Sequence, residues 1–294
     1  LHLCDRRQRQ MCIRDRNMVV QMTEQNYSVL MSVYSREKAE YLQKSIESML
    51  SQTIPPSDFV IVCDGLLGEE LYRVINDKKR EYPECFQVIQ LPENRGLGEA
   101  LREGLAYCKN ELVARMDSDD ISVPKRCELQ LKIFEEKDVS VVGGTVQEFV
   151  KDIVQAGAMR RVPETSEKIA KYAKKRNPFN HPAVMFKKSD VIKAGSYVGC
   201  RGFEDYHLWI RMMSGGMRGY NLSDVLVYMR IGDGMYKRRG GMSYLKDMIN
   251  FRKFMLDTGY INMPEFLSSV VAHGIVILIP AKMRKAVYSV FLRK

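Results

Sequence analysis

The chain has 294 residues, of which 45% are hydrophobic and 28% charged, and its formal net charge is +10. That length and apolar content suit one large or two small globular domains, and exclude a disordered or fibrous chain. The excess base gathers at the ends, with five Arg against two Asp in residues 1–16 and five Lys or Arg without an acid in the last thirteen; a nucleic-acid binder would instead carry basic and aromatic residues on one face. Seven scattered cysteines with no C-x-x-C pair exclude a disulfide framework and predict a reducing, cytoplasmic compartment. No apolar run reaches the ~18 residues of a membrane span, and the first residues lack the apolar segment of a signal peptide. Residues 1–25 are set apart as a non-native or disordered N-terminal tail. Residues 1–16 lack periodicity and are read as an expression or translation scar, with the native start expected at Met18 or Met22.

Residues 27–34, YSVLMSVY, form a β-favouring run that predicts a buried first strand. Leu42, Ile46, Met49 and Leu50 then share one face of a helix. FVIVC at 59–63 is a second strand, with Asp64-Gly65 at its carboxyl end. Leu71, Val74 and Ile75 mark the next helix, 86–91 a third strand, and Leu97, Leu101 and Leu105 a third helix. Residues 112–116 are a fourth, acid-tipped strand, followed by a helix marked by Leu129, Ile133 and Phe134 and a fifth strand at 139–142. Strands and helices alternating about every 30 residues predict an α/β, Rossmann-like doubly wound sheet. After Gly144 the alternation weakens. Strands are expected at 145–150, 183–186 and 225–228, and short helices at 166–174 and 205–213. A helical tail is expected over 241–294.

The fourth strand ends in three carboxylates within four residues, Asp117, Asp119 and Asp120, just before Pro124. Ligands of open α/β sheets bind at the carboxyl ends of the strands. Crowded carboxylates are costly to ionise together, and a Mg²⁺ or Mn²⁺ ion relieves that cost through oxygen ligands shared with substrate phosphates. Taken alone, a D-x-D favours the plainer reading, acids that only cap the next helix; the segments around it shift that balance.

The ordered segments SVYSRE, VIVCDG, ARMDSDD and GFEDYHLWIRM, with PENRGLGEALREGL and NPFNHPAVMF between them, resemble glycosyltransferase family 2, enzymes of the GT-A fold. The wording is similar to the amylovoran-biosynthesis type of bacterial exopolysaccharide and lipopolysaccharide enzymes, and covers roughly residues 26 to 240. The resemblance implies a GT-A domain with a nucleotide-sugar half at 26–144 and an acceptor half at 145–240. It places Ser32, Tyr34 and Glu37 near the base and ribose, Asp64 on a uracil-type base, and Arg95 and Arg102 near the donor phosphates. Asp117 and Ser118 would meet the sugar nucleotide, Asp117 and Asp119 the metal, Mn²⁺ or Mg²⁺. Asp205 matches the general base, with Glu204 its companion.

Two departures stand out. Cys63 replaces the first acid usual before the glycine of the second motif, and GLLG follows Asp64 where D-G-S-x-D would continue. A Q-x-x-R-W segment is absent, so one sugar is expected per encounter. His181, Trp209, Arg238 and Arg239 are further candidates on the acceptor or phosphate side, with turn, core or solvated roles as their alternatives. His207 is expected to be solvated.

The expected activity is inverting transfer of one sugar from a nucleoside diphosphate sugar, UDP-linked by preference, to a saccharide or polyprenyl-linked acceptor in cell-surface polysaccharide synthesis. The alternative is a non-catalytic sugar-nucleotide-binding protein of a polysaccharide assembly system. A sugar-nucleotide pyrophosphorylase would need a Gly-rich first loop, and SVYSRE has no glycine. The tail, mixing VVAHGIVILIP with AKMRKAVYSVFLRK, reads either as an interfacial helix at the inner face of the cytoplasmic membrane or as a helix packed on the domain.

Overall fold

The computed structural model describes residues 26–155, 157–232 and 240–279. The first half follows the expected alternation. Strands β1 (Tyr27–Tyr34), β2 (Asp58–Asp64), β3 (Phe86–Gln90) and β4 (Leu112–Asp117) are joined by helices α1 (Ala39–Leu50), α2 (Glu69–Glu81) and α3 (Leu97–Tyr107). The four strands are parallel in the order β3-β2-β1-β4. Side chains alternate along a strand, and the core follows that rule. Val29, Met31 and Val33 of β1 face one cluster with Leu42, Ile46 and Met49 of α1 and Leu71 and Ile75 of α2. Leu30, between them, faces the other cluster with Leu101 and Leu105 of α3. Both faces of the sheet are therefore covered, as parallel strands require.

Beyond β4 the sheet changes character. A two-residue strand β5 (Ile121–Ser122) follows the acids, then α4 (Arg126–Glu136), β6 (Val141–Phe149), β7 (Met159–Arg160), α5 (Ser166–Ala173), β8 (Met185–Lys187), α6 (Lys188–Lys193), α7 (Glu204–Ser214) and β9 (Gly219–Arg230). The short β8 inserts between β4 and β6, antiparallel to both, while β9 runs parallel to β6. The sheet is thus parallel on one side and mixed on the other, not parallel throughout. The two strands expected at 139–142 and 145–150 are one strand. Gly143 and Gly144 look like breakers in sequence, but a Cβ at Gly143 would lie 2.3 Å from Asn221 Oδ1. The glycines let β9 lie close, and the register slips through a bulge at Gly144 and Thr145.

Two helices complete the described chain, α8 (Met242–Asp257) and α9 (Met263–Leu278). Phe251 and Met255 of α8 are buried with Tyr206 and Ile210 of α7. Phe251 stacks on Phe203 at 5.0 Å, and Phe254 on His207 at 3.9 Å. Through these rings α8 is fastened to the helix that begins with Glu204 and Asp205. No helix among the described residues is long and apolar enough to cross a membrane.

Candidate active site

The carboxyl ends of β1, β2 and β4 converge because the parallel register sets Ser32 beside Asp117 and Tyr34 beside Asp64. Asp64 is 3% exposed. Its Oδ1 accepts the Arg95 N–H at 2.7 Å, and its Oδ2 accepts the Gly96 N–H and the Asn94 amide, both at 3.0 Å. The turn after it uses Gly65 at φ +83°, with the Asn94 nitrogen 2.7 Å from where a Cβ would sit. Asp64 thereby ties the end of β2 to the loop that opens α3. Buried Cys63, in place of the family's first acid, has its thiol pushed up to about 11 by desolvation.

At the end of β4, Asp117, Asp119 and Asp120 offer oxygens within 4.8 Å of one another. Asp120 is buried; its Oδ1 accepts the Arg230 N–H at 2.7 Å, and its Oδ2 has no partner among the described residues. Burial, then the charges of Asp117 and Glu37, push the Asp119 carboxyl up to about 7, and Arg230 offsets part of that. Burial, then the charges of Asp117 and Asp119, hold Asp120 well above the usual carboxylate range. Three crowded oxygen donors, one buried and unpartnered, fit a hard divalent cation such as Mg²⁺ or Mn²⁺. Ser118 donates to Glu37 at 2.7 Å, and Ser45 donates to the Asp117 carbonyl at 2.6 Å. These bonds pin the acid loop to the first helical unit.

Arg115 joins this cluster to a second one. It lies two residues before Asp117, on the same face of β4, is 1% exposed, and donates through Nη2 to Asp117 Oδ1. Its Nε and Nη1 have no partner among the described residues. Its charge is felt at His181, Tyr197, Glu204 and Asp205. Asp205 sits in the first turn of α7, after the N-cap Phe203. Its Oδ2 accepts from Asn177 Nδ2 at 2.6 Å. Desolvation raises the Asp205 carboxyl, and Asn177, the Tyr206 N–H and Arg115 hold it down in part. Glu204 is raised likewise by desolvation. Its Cγ would lie 3.0 Å from a Cβ on Gly98, so the starts of α3 and α7 meet there. His181 bonds Tyr197 Oη at 3.0 Å and, by burial and then Arg115, is held well below its ordinary value.

The remaining expected residues divide. Tyr34 is 37% exposed at the end of β1, beside a cavity of about 570 Å³ lined by Ser35, Glu37, Lys38, Gly68 and Glu70. A second cavity of that volume, at Glu111, Ser140 and Lys187, lies at the amino ends of the strands and touches none of these residues. Arg95 is partly exposed, and Arg102 pairs with Glu99 at 2.5 Å on the surface of α3. Trp209 is wholly buried, edge-on to Phe179 at 5.3 Å; it is a core contact of α7 with no ring face left for a sugar. His207 is half-buried, not solvated; it stacks on Phe254, and desolvation, then the charge of Arg211, holds its imidazole down to about 4. Arg238 and Arg239 lie outside the described residues. Arg115, Asn177 and Arg230 were not anticipated. The guanidinium of Arg230 packs 3.7 Å over the Tyr41 ring and donates to the Asp119 carbonyl at 3.0 Å. The one signal for Arg115 is a charge in the middle of an otherwise apolar strand.

An α/β sheet with a carboxylate cluster at the carboxyl end of its fourth strand has the architecture of the GT-A class of transferases. The comparisons agree. Residues 28–193 match Glycosyl transferase family 2, and the chain belongs to that family. An uncharacterized glycosyltransferase of Haemophilus influenzae is 38% identical over 269 residues, 91% of this chain and 99% of its own. The UDP-Gal:alpha-D-GlcNAc-diphosphoundecaprenol beta-1,3-galactosyltransferase of Escherichia coli is 35% identical over 91% of this chain and 97% of its own. The amylovoran biosynthesis glycosyltransferase AmsE of Erwinia amylovora is 39% identical over 80% of this chain and 88% of its own. Among solved structures, Staphylococcus aureus TarS 1–349 in complex with UDP-GlcNAc shares the fold at a TM-score of 0.67 and 17% identity, covering 91% of this chain and 76% of that one. The Pyrobaculum calidifontis mannosyltransferase PcManGT in complex with GDP-Man and Mn²⁺ aligns at 0.62 and 15%, covering 91% and 81%.

Proposed function

We propose that this chain is a metal-dependent, inverting hexosyltransferase that moves one sugar from a UDP-linked donor to a saccharide on a polyprenyl diphosphate. The setting is cell-surface polysaccharide synthesis at the inner face of the bacterial cytoplasmic membrane. The observation that supports the reading is one buried guanidinium, Arg115, which pairs with Asp117 of the carboxylate cluster and whose charge is felt at Glu204 and Asp205. On this reading the cluster serves the donor and the acid pair the acceptor. The E. coli relative, named for a UDP-Gal donor and a diphosphoundecaprenol-linked acceptor, supports the substrate classes.

Asp117 and Asp119 are the ligands for a divalent ion, which when bound neutralises the departing nucleoside diphosphate. Ser32, Tyr34, Glu37 and Asp64 shape the nucleotide end of the site, with Arg95 and Arg102 toward the phosphates. Asp205 is the base. An acceptor hydroxyl loses its proton only as it attacks, and a carboxylate raised above its ordinary value is better matched to take it. Asn177 orients that carboxylate through the 2.6 Å bond. One base, one displacement and no enzyme nucleophile give inversion at the anomeric carbon.

Asp205→Asn keeps the shape and the Asn177 contact but cannot accept the proton. In a single-turnover assay with saturating donor and acceptor, transfer should fall roughly 10²–10⁴-fold while calorimetric donor binding stays. Near-wild-type transfer would overturn the base assignment. Donor binding by the wild type with no turnover on any acceptor would favour the alternative, a sugar-nucleotide binder.

A further inference from the structure

Helix α9 has an outward face that the rest of the described chain leaves bare. Met263, Leu267, Val271 and Ile275 recur every fourth residue and are 53%, 55%, 61% and 62% exposed. Pro264, Ser268 and Ala272 are exposed beside them and carry no charge. The two ionisable side chains of the helix point elsewhere. Glu265 closes the capping box with Asn262 and bonds Lys174 at 3.1 Å, and His273 bonds Ser269. The outer face of a water-facing helix is ordinarily charged or polar, and a contiguous apolar surface of this kind marks an interaction site. The helix is too short to span a bilayer, so the face suits a surface rather than a passage. In the sequence, Lys282, Arg284, Lys285, Arg293 and Lys294 follow directly, with no acid among the last thirteen residues.

We propose that α9 lies in the plane of an anionic lipid surface, its Met263–Ile275 face toward the acyl chains. An apolar helical face joined to Lys and Arg is the combination that binds such interfaces. The packing gives the docking a consequence for the reaction. Helix α9 packs on α8, whose Phe251 and Phe254 stack on Phe203 and His207 around the start of α7. A lipid-docked α9 therefore stands one helix away from Asp205 and sets the height of the base above the surface. That second step rests on the acceptor reading above.

The test uses the full chain and flotation with vesicles of phosphatidylglycerol and phosphatidylethanolamine, or of phosphatidylcholine alone. Wild type should partition onto the anionic vesicles roughly tenfold better than onto the neutral ones. A Leu267→Glu/Val271→Glu double variant should lose that binding by roughly tenfold or more, with its melting temperature and UDP affinity unchanged. Leu267→Ser/Val271→Ser is the milder variant if the first fails to fold. Equal flotation of wild type and variant overturns the proposal. So does a wild-type dimer that the variant dissociates without any change in lipid binding, since the face would then belong to a second copy. UDP binding that survives a failed flotation leaves the transferase reading standing. Flotation without UDP binding supports the docking and removes the donor reading instead.

Discussion

Arg115 donates to Asp117 from a position with 1% exposure, and no other basic side chain among the described residues pairs with that carboxylate. The pair fixes one acid of the carboxylate cluster, and leaves two buried guanidinium nitrogens without a partner among the described residues. Breaking a buried pair by removing one partner costs about 3–5 kcal/mol, less here because the Asp117 side chain is 35% exposed. Arg115→Met should therefore melt several degrees below wild type without metal, and saturating Mn²⁺ should recover part of the gap by supplying the missing positive charge. The same melting temperature as wild type without metal, or no added gain from Mn²⁺, would count against this role.

Asp119 offers a carboxylate oxygen within 4.8 Å of those of Asp117 and Asp120, and Asp117 is already engaged by Arg115. Asp119→Asn should leave the fold intact and weaken Mn²⁺-dependent UDP binding by tenfold or more, of the order reported for loss of a metal-site partner. Calorimetry that finds wild-type affinity, insensitive to EDTA, would sink the metal assignment.

Asn177 donates to the ionised form of Asp205, and such a bond lowers a carboxyl pKa. Removing it raises the Asp205 value further. Because the base works deprotonated, the acid limb of the pH–rate profile for Asn177→Ala should move to higher pH. The loss in kcat/KM should grow as pH falls and shrink as pH rises. A loss independent of pH between 5 and 9 would mean that Asn177 only packs.

His207 stacks on Phe254, and desolvation takes its imidazole from an ordinary 6.5 down to about 4. The folded state therefore binds this proton less readily than the unfolded one. Its contribution to stability is complete above pH 6.5 and is lost as pH falls through 4. His207→Phe keeps the stack and removes the titration. Melting temperatures measured at pH 7.5 and pH 4.5 should fall further for wild type than for the variant. Equal falls would refute the coupling.

Much of the first half was legible because it is local. Alternating apolar runs located β1 to β4 and α1 to α4, and the acids duly stand at the end of β4. The misses are non-local. Nothing near residues 185–187 announces that β8 will slip between β4 and β6, since its partners lie about 40 and 70 residues away. Gly143 and Gly144 read as a break because glycine usually ends a strand, whereas here Gly143 makes room for Asn221 and Gly144 for Leu226. Arg115 was hidden inside an apolar run, and Asn177 lies 28 residues before the carboxylate it holds. His207 was expected in water because Phe254, which covers it, belongs to a segment set apart as a tail. The roles of Asp117, Asp119 and Asp205 came from ordered motifs, with local spacing adding little.

The match to the family stops at residue 193, whereas Asp205 lies beyond it on α7, the helix whose Phe203 and His207 ends are stacked by Phe251 and Phe254 of α8. On the function proposed above, donor recognition and acceptor recognition fall on consecutive stretches of one chain, which can then diverge at different rates. A hybrid that exchanges residues 194–279 with a relative would transplant acceptor preference while keeping the sugar nucleotide. One that stops at 240 would separate α7 from the rings that cover it, and that mismatch sets the smallest unit by which such enzymes can trade specificity.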